Sequence, residues 1–345
     1  LSHGTTTIDA QNVNLNADLM SDKNLAITAK DNIITKEGTN LSTKADGRLK
    51  ARTVGFGGDV RADGTLTIET DEQLAAKNIT AGGDAVLTPG TDITANDVTV
   101  GGNLTAKAVH ITAQNISAGG NAALNAETAL TAQNISAGGD LNAEAVNITA
   151  ENITAGGNAM LNAGTDLFAN NVNVSGDANI AAGTQLTAQN VTTGGNTTLN
   201  AGTQLTAHDV SVGGDLNAQA QNITVTSVTG KGNAVLTADK DVTVIGAFSA
   251  HNAVLTAGEN LTLGGKTDVG GTLTTNVAHD LTVNDAVTTG ADFAAIVGNN
   301  AVTNGIVTTN GALKWNVGND LTANAAVLSH GTTTIDAQNV NLNAD

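Results

Sequence analysis

Carboxylates, imidazoles and amides are the side chains here that could do chemistry, because the 345 residues include no cysteine and no tyrosine. A sugar-cleaving site would need two acids converging on one face, one held as a proton donor and the other as base or nucleophile. The six His, at positions 3, 110, 208, 251, 279 and 330, are scattered, and two of them belong to duplicate segments. Aspartates recur after glycine pairs as Asp84, Asp140, Asp177 and Asp215, which invites comparison with calcium-binding turns. Such turns need a second Gly-x-Asp step, and Gly82-Gly83-Asp84-Ala85-Val86-Leu87 has none. These aspartates therefore read as solvated corners. No catalytic residue, no metal ligand and no cofactor is expected, and the lack of thiols excludes disulfides and zinc–thiolate sites.

The charge narrows the partners. Fourteen Lys and Arg face 32 Asp and Glu, giving −18 and a pI near 4.4. Such a surface repels nucleic acid and anionic lipid. No apolar run is long enough to span a membrane, so the reading is not membrane-spanning. The first residues, Leu1-Ser2-His3-Gly4, have no basic-then-apolar pattern, so no signal peptide is expected within this sequence. Apolar residues make up 40%, almost all Ala, Val, Leu and Ile, with four Phe and one Trp. Side chains of that size fill a narrow space.

The elements that carry these residues repeat. Glycine pairs fall at Gly82-Gly83, Gly101-Gly102, Gly119-Gly120, Gly138-Gly139, Gly156-Gly157, Gly194-Gly195 and Gly213-Gly214, with Ser175-Gly176 standing in once, at steps of 18 or 19 residues. Between them, small or aliphatic residues alternate with Asn, Thr, Gln and Ser, as in Leu124, Ala126, Leu130, Ala132, Ile135 and Ala137. Alternation is a strand signal, and Gly-Gly, Gly-Thr and Gln-Asn are turn chemistries. The expected fold is all-β, a parallel β-helix (β-solenoid) of about 17 coils, each of about 18–20 residues with three short strands, in one continuous segment over 1–345. The shorter coils are expected to lose their residue in the first third of the unit.

Three apolar columns define the register. One runs Ile79, Val98, Ile116, Ile135, Ile153, Val172, Val191, Val210; a second Leu87, Leu104, Leu124, Leu141, Leu161, Ile180, Leu199, Leu216; a third Ile93, Ile111, Leu130, Ile148, Leu167, Leu186, Leu205, Ile223. A polar column beside the first, Asn78, Asp97, Asn115, Asn134, Asn152, Asn171, Asn190 and Asp209, is expected to form a structural ladder of stacked amides.

Two features break the regularity. Residues 23–61 hold eight of the fourteen basic residues and four acids, a net +4 that leaves −22 on the rest, so 36–61 reads as loop-bearing, locally basic coils. Arg48, Lys50 and Arg52 there, with the outward Phe168 that interrupts a threonine column, are candidate lateral contacts. Residues 1–18 recur letter for letter as 328–345, a 327-residue offset. This marks a tandem long repeat which, at about 4.8 Å per coil, would advance roughly 80 Å.

Runs such as Leu161-Asn162-Ala163-Gly164-Thr165-Asp166-Leu167, Leu255-Thr256-Ala257-Gly258-Glu259-Asn260-Leu261-Thr262-Leu263 and Gly318-Asn319-Asp320-Leu321-Thr322-Ala323-Asn324 resemble the filamentous haemagglutinin family of two-partner-secretion adhesins. The resemblance covers nearly the whole chain and is weakest over 23–61. It implies a right-handed helix, export through an outer-membrane transporter partner, and an extracellular fibre at the bacterial cell surface. The expected role is a non-enzymatic structural shaft serving attachment, with neighbouring copies of the repeat as partners along the fibre and a host or surface glycan as a further one. A glycan- or receptor-binding module near 36–61 and a polysaccharide-acting β-helix enzyme are the alternatives.

Overall fold

Strict alternation of aliphatic and polar residues gives each short strand one face that must leave water, and no coil has a second layer of its own to cover it. Stacking the coils in parallel solves this, because each then buries its apolar row against the coils above and below. The computed structural model, which describes residues 1–344, has this form: an all-β parallel β-solenoid of about 18 turns, with no helix among the described residues. It divides into two units. One comprises Leu1–Gly164 with Asn173–Ser175, the other Thr165–Val172 with the residues from Gly176 onward.

In the first unit, the first strand of each coil carries Leu25, Gly47, Leu66, Ala85, Leu104, Ala122, Leu141 and Ala159 at one paired position. The second strand aligns Ile93, Ile111, Leu130 and Ile148, and the third Ile79, Val98, Ile116, Ile135 and Ile153. The second unit keeps the scheme, with Leu186, Leu205, Ile223, Val242 and Leu261 on the second strand and Val191, Val210, Val228 and Phe248 on the third. All of these are buried apart from Gly47's absent side chain.

The leucine column expected on the first strand holds at Ile180 and Leu199, which pair, but from Leu87 to Leu141 it is two interleaved columns. Leu87 pairs with Ala106, Leu104 with Ala85, Leu124 with Ala106 and Leu141 with Ala122. In these coils a large residue sits over a small one and the next coil reverses the order, whereas Ile68 pairs with Leu87, Ile180 with Leu199 and Leu236 with Leu255. The order goes with the next corner. Coils that begin Leu104/Ala106, Leu141/Ala143 and Leu216/Ala218 reach their second strand one residue sooner than coils that begin Ala85/Leu87, Ala122/Leu124 and Ala159/Leu161. In these three coils the shorter corner goes with alanine at the end of the first strand and leucine at its start, while Gly47/Leu49, with the same short corner, has the large residue second. The lost residue is therefore at the corner after the first strand, where the pairing skips between Ala108 and His110, and not in the unit's first third.

Residues 41–61 are mostly strand, as Leu41–Thr43, Gly47–Ala51, Thr53–Phe56 and the start of Asp59–Ala62. The added length lies at 36–40, where the Thr39 N–H donates to the Lys36 carbonyl across a turn and Gly38 takes φ 75°. That left-handed conformation is the one glycine adopts without steric cost.

Candidate functional site

The residues that repeat most faithfully are those that bond one coil to the next. Asn115 donates to Asp97 at 2.5 Å, Asn134 to Asn115 at 2.6 Å, Asn152 to Asn134 at 2.7 Å and Asn190 to Asn171 at 2.7 Å, each through Nδ2 to Oδ1. Asn78 donates downward to Asp59 at 2.8 Å, and Asp209 accepts from the Ser227 hydroxyl at 2.5 Å. An amide holds both a donor and an acceptor, so a column of Asn can continue indefinitely; a carboxylate only accepts. The Asp97 position works because Asn115 supplies the donor.

A second ladder follows the glycine pairs, where only solvated corners were expected. Asp84 Oδ1 accepts the backbone N–H of Asn103 at 2.7 Å, Asn103 that of Asn121 at 2.9 Å, Asn121 that of Asp140 at 2.8 Å and Asp140 that of Asn158 at 2.7 Å. In the second unit Asp177, Asn196 and Asp215 do the same for Asn196, Asp215 and Asn233. Asp and Asn are interchangeable here because the recurring bond uses only the oxygen, to which Asn103 and Asn233 add Nδ2 bonds of 3.3 and 3.2 Å to Asp84 and Asp215. This geometry also accounts for both glycines. A Cβ on Gly139 would lie 2.1 Å from Asn121 Oδ1, and one on Gly138 would lie 2.1 Å from the Gly119 carbonyl oxygen. Neither glycine has a positive φ, so space and not backbone conformation demands them. The signal was present in the sequence as the Asp or Asn that follows every glycine pair from Gly82 to Gly214.

Later coils carry further ladders that the sequence reading missed. Asn304 donates to Asn284 at 3.0 Å, Asn324 to Asn304 at 2.8 Å and Asn343 to Asn324 at 2.8 Å. At another corner Asn299 donates to Asp280 at 2.7 Å, and Asn319 to Asn299.

The basic residues meet acids of their own solenoid. Arg48 lies 3.3 Å and Lys50 3.8 Å from Glu69, and Arg52 lies 3.1 Å from Glu72. All three cations are about half exposed or more, so each pair contributes only ~0–1 kcal/mol. Lys44 meets Asp22 at 2.8 Å, and the Asp22 carboxyl is held below its ordinary value by hydrogen bonds from Lys44 and then His3. Asp46 is lowered too, by the backbone N–H and hydroxyl of Thr65. A shallow hollow of about 220 Å³ is lined by Met20, Ser21, Asp22, Ser42, Thr43, Lys44, Arg61 and Asp63. Its charges are already matched, Lys44 to Asp22 and Arg61 to Asp63. Phe168 stands outward, 39% exposed. Phe293 and Trp315 are buried and meet edge to face at 5.5 Å.

Among the described residues no three His, Asp or Glu side chains are grouped to hold a metal ion, and no helix is long and apolar enough to cross a membrane. No family model matches this chain, no curated protein matches it, and no solved structure matches it. What the arrangement can do chemically is hold coils together. Its polar columns are spent on neighbouring backbone and side-chain groups.

Proposed function

We propose that this chain is a shaft segment of a giant, secreted, repetitive bacterial surface fibre, non-enzymatic and serving attachment or cell contact. The observation that carries it is where the repeated polar side chains go. Asn115, Asn134, Asp84 and Asn103 each bond to the next coil, so the features under the strictest repetition act along the stack and not toward a ligand. Coil-to-coil bonding of this kind resists unravelling, and an acidic exterior of −18 keeps long fibres soluble and apart. The duplicated 18-residue segment supports a tandem array, and the resemblance to filamentous haemagglutinins supports export through an outer-membrane transporter and an extracellular location.

The test is electron cryomicroscopy of filaments from the source cells. A layer line near 4.8 Å with an axial period matching one 327-residue unit is expected. A compact particle, or release of reducing sugar from surface polysaccharides by the purified chain, would sink the shaft reading.

A further inference from the structure

One strip of the first unit carries two charges that its own chain leaves unpaired. On the first strand of each coil the second and fourth residues face outward. The fourth residues of three successive coils are Lys107, Asn125 and Glu144, aligned in one column. Lys107 and Glu144 are exposed and lie two coils apart, about 10 Å. Neither has an ion-pair partner among the described residues. The column of second residues beside it begins at Val86, passes through Ala123 and ends at Met160. Val86 is 38% and Met160 45% exposed. Counted from the coil of Ala123 and Asn125, the two charges stand one coil to either side and the two apolar side chains two coils to either side. Over these five coils the outward positions of the first strand carry no other charge. The strip is therefore its own complement.

We propose that this strip docks on the same strip of a second copy, antiparallel, about a two-fold axis that runs along the strand of Ala123 and Asn125. Such an axis reverses the solenoid direction and keeps each column facing itself. Lys107 of each copy then meets Glu144 of the other, and Val86 meets Met160. A two-fold contact uses the same patch on both partners, so both ion pairs form together. The parallel alternative, a two-fold along the solenoid axis, sets Lys107 against Thr105 and Glu144 against Asn142 and closes neither pair. Five coils by one five-residue strand measure about 24 by 17 Å, so roughly 800 Å² is buried in all, the size of a weak, reversible contact. The acidity that keeps the rest of the surface apart is cancelled within the strip, and Glu127 lies past its end, at the corner, where solvent and salt screen it. The pairing itself does not depend on the shaft reading. Its consequence does: antiparallel pairing links fibres that run in opposite directions, as from facing cells, and tandem copies multiply a weak contact.

Charge exchange in the full 345-residue chain tests it, read by sedimentation velocity over a concentration series. Each reversal strikes both symmetric pairs, so Lys107→Glu, and likewise Glu144→Lys, should raise the half-association concentration about tenfold or more. The double variant re-forms the complement and should associate like the parent chain, as should a mixture of the two single variants. A parent chain that stays monomeric, single variants that associate like it, or a double variant as weak as the singles overturns the proposal. Orientation is read separately through thiols, which the chain lacks. Asn125→Cys lies on the axis and should link to its counterpart on mild oxidation. Two Asn142→Cys thiols would stand about 10 Å apart, beyond disulfide reach, and should not link. Equal linking of both overturns the antiparallel register. None of these outcomes alters the axial period on which the shaft reading rests, so the failure of either is told apart from the other.

Discussion

Coils of 18–19 residues and coils of 20 residues build the same solenoid with different corners and different cores. In most of the shorter coils the second and third strands run on as one, as in Asn147–Ala155 and Gln185–Thr193, though Leu74–Ala75 and Asn78–Ala81, and Val242–Val244 and Phe248–Ala250, stay separate in coils of 19. In the longer ones they are separate three-residue strands, such as Leu261–Leu263 and Thr267–Val269. The added residue sits between them, since Leu281 to Val287 is one residue longer than Leu130 to Ile135. The amide ladder responds. It stands at the single bend beside Asn134 in the shorter coils, and after the second strand at Asn284, Asn304 and Asn324 in the longer ones.

The core differs as well. The third residue of the second strand enlarges before the coils lengthen, since Val225 already stands in the 18-residue coil from Leu216 to Ala234. It runs Ala188, Ala207, Val225, Val244, Leu263 and Val283, then falls back to Thr303 and Ala323, each stacked on the one before. Phe293 and Trp315 complete the filling on the first strand. The core of the longer coils is less well satisfied: Thr267, Thr275 and Thr303 bury hydroxyls, and Trp315 buries its indole N–H, without a hydrogen-bond partner. The 20-residue coils thus bring together the large side chains Phe293 and Trp315 and these unpartnered groups.

That contrast can be broken by experiment. Because a solenoid opens locally, hydrogen exchange of the neighbouring strand amides is the suitable readout. Trp315→Ala should cost the most, ~3–5 kcal/mol through the cavity it leaves; a loss smaller than that of Leu161→Ala in a shorter coil would refute the contrast in core filling. Exchanging the pair, Leu141→Ala with Ala143→Leu, keeps composition and should cost ~1–3 kcal/mol by overpacking the end of the strand. Inserting a glycine after Val146 should recover most of it, and no recovery would mean that corner length does not set the order. Asn134→Ala and Asn304→Ala should each cost about 1 kcal/mol, since both residues donate to one coil and accept from the next. Markedly unequal effects would show that the two ladders are not equivalent.

How much of this was legible in the residues depended on what fixes each feature. The Ile79 and Ile93 columns were readable because a β-branched or leucine side chain recurs at every step, and the pairing follows them coil by coil. The first-strand register was misread because matching Leu124 to Leu141 by residue type ignores that packing prefers Leu over Ala, and that a corner had shortened. The ladder at Asn115 and Asn134 was foreseen from stacked amides, whereas the one at Asp84 and Asn103 was not, since its donor is backbone and has no letter. Arg48 and Glu69 lie 21 residues apart, so their meeting becomes visible only once the coil lengths around residues 36–40 are known.

The finest distinction between the two regions rests on a single residue type. Thr197 and Thr275 are both on first strands and both fully buried. Thr197 sits in a coil of the shorter kind, and its hydroxyl meets that of Thr193 at 2.6 Å. Thr275 sits in a longer coil between Leu255 and Ala295, and its hydroxyl has no partner. Valine matches threonine in shape, so the substitution isolates the hydroxyl. Removing one partner of a buried hydrogen bond leaves the other unsatisfied, while removing a lone buried hydroxyl relieves a desolvation cost. Thr197→Val should therefore destabilise its coil by about 1 kcal/mol and Thr275→Val should stabilise its own by a similar amount. Opposite signs in the exchange rates of the flanking amides are the expected result. Destabilisation by both would mean that the longer coils are as fully satisfied as the shorter ones, and the contrast in core quality would fall.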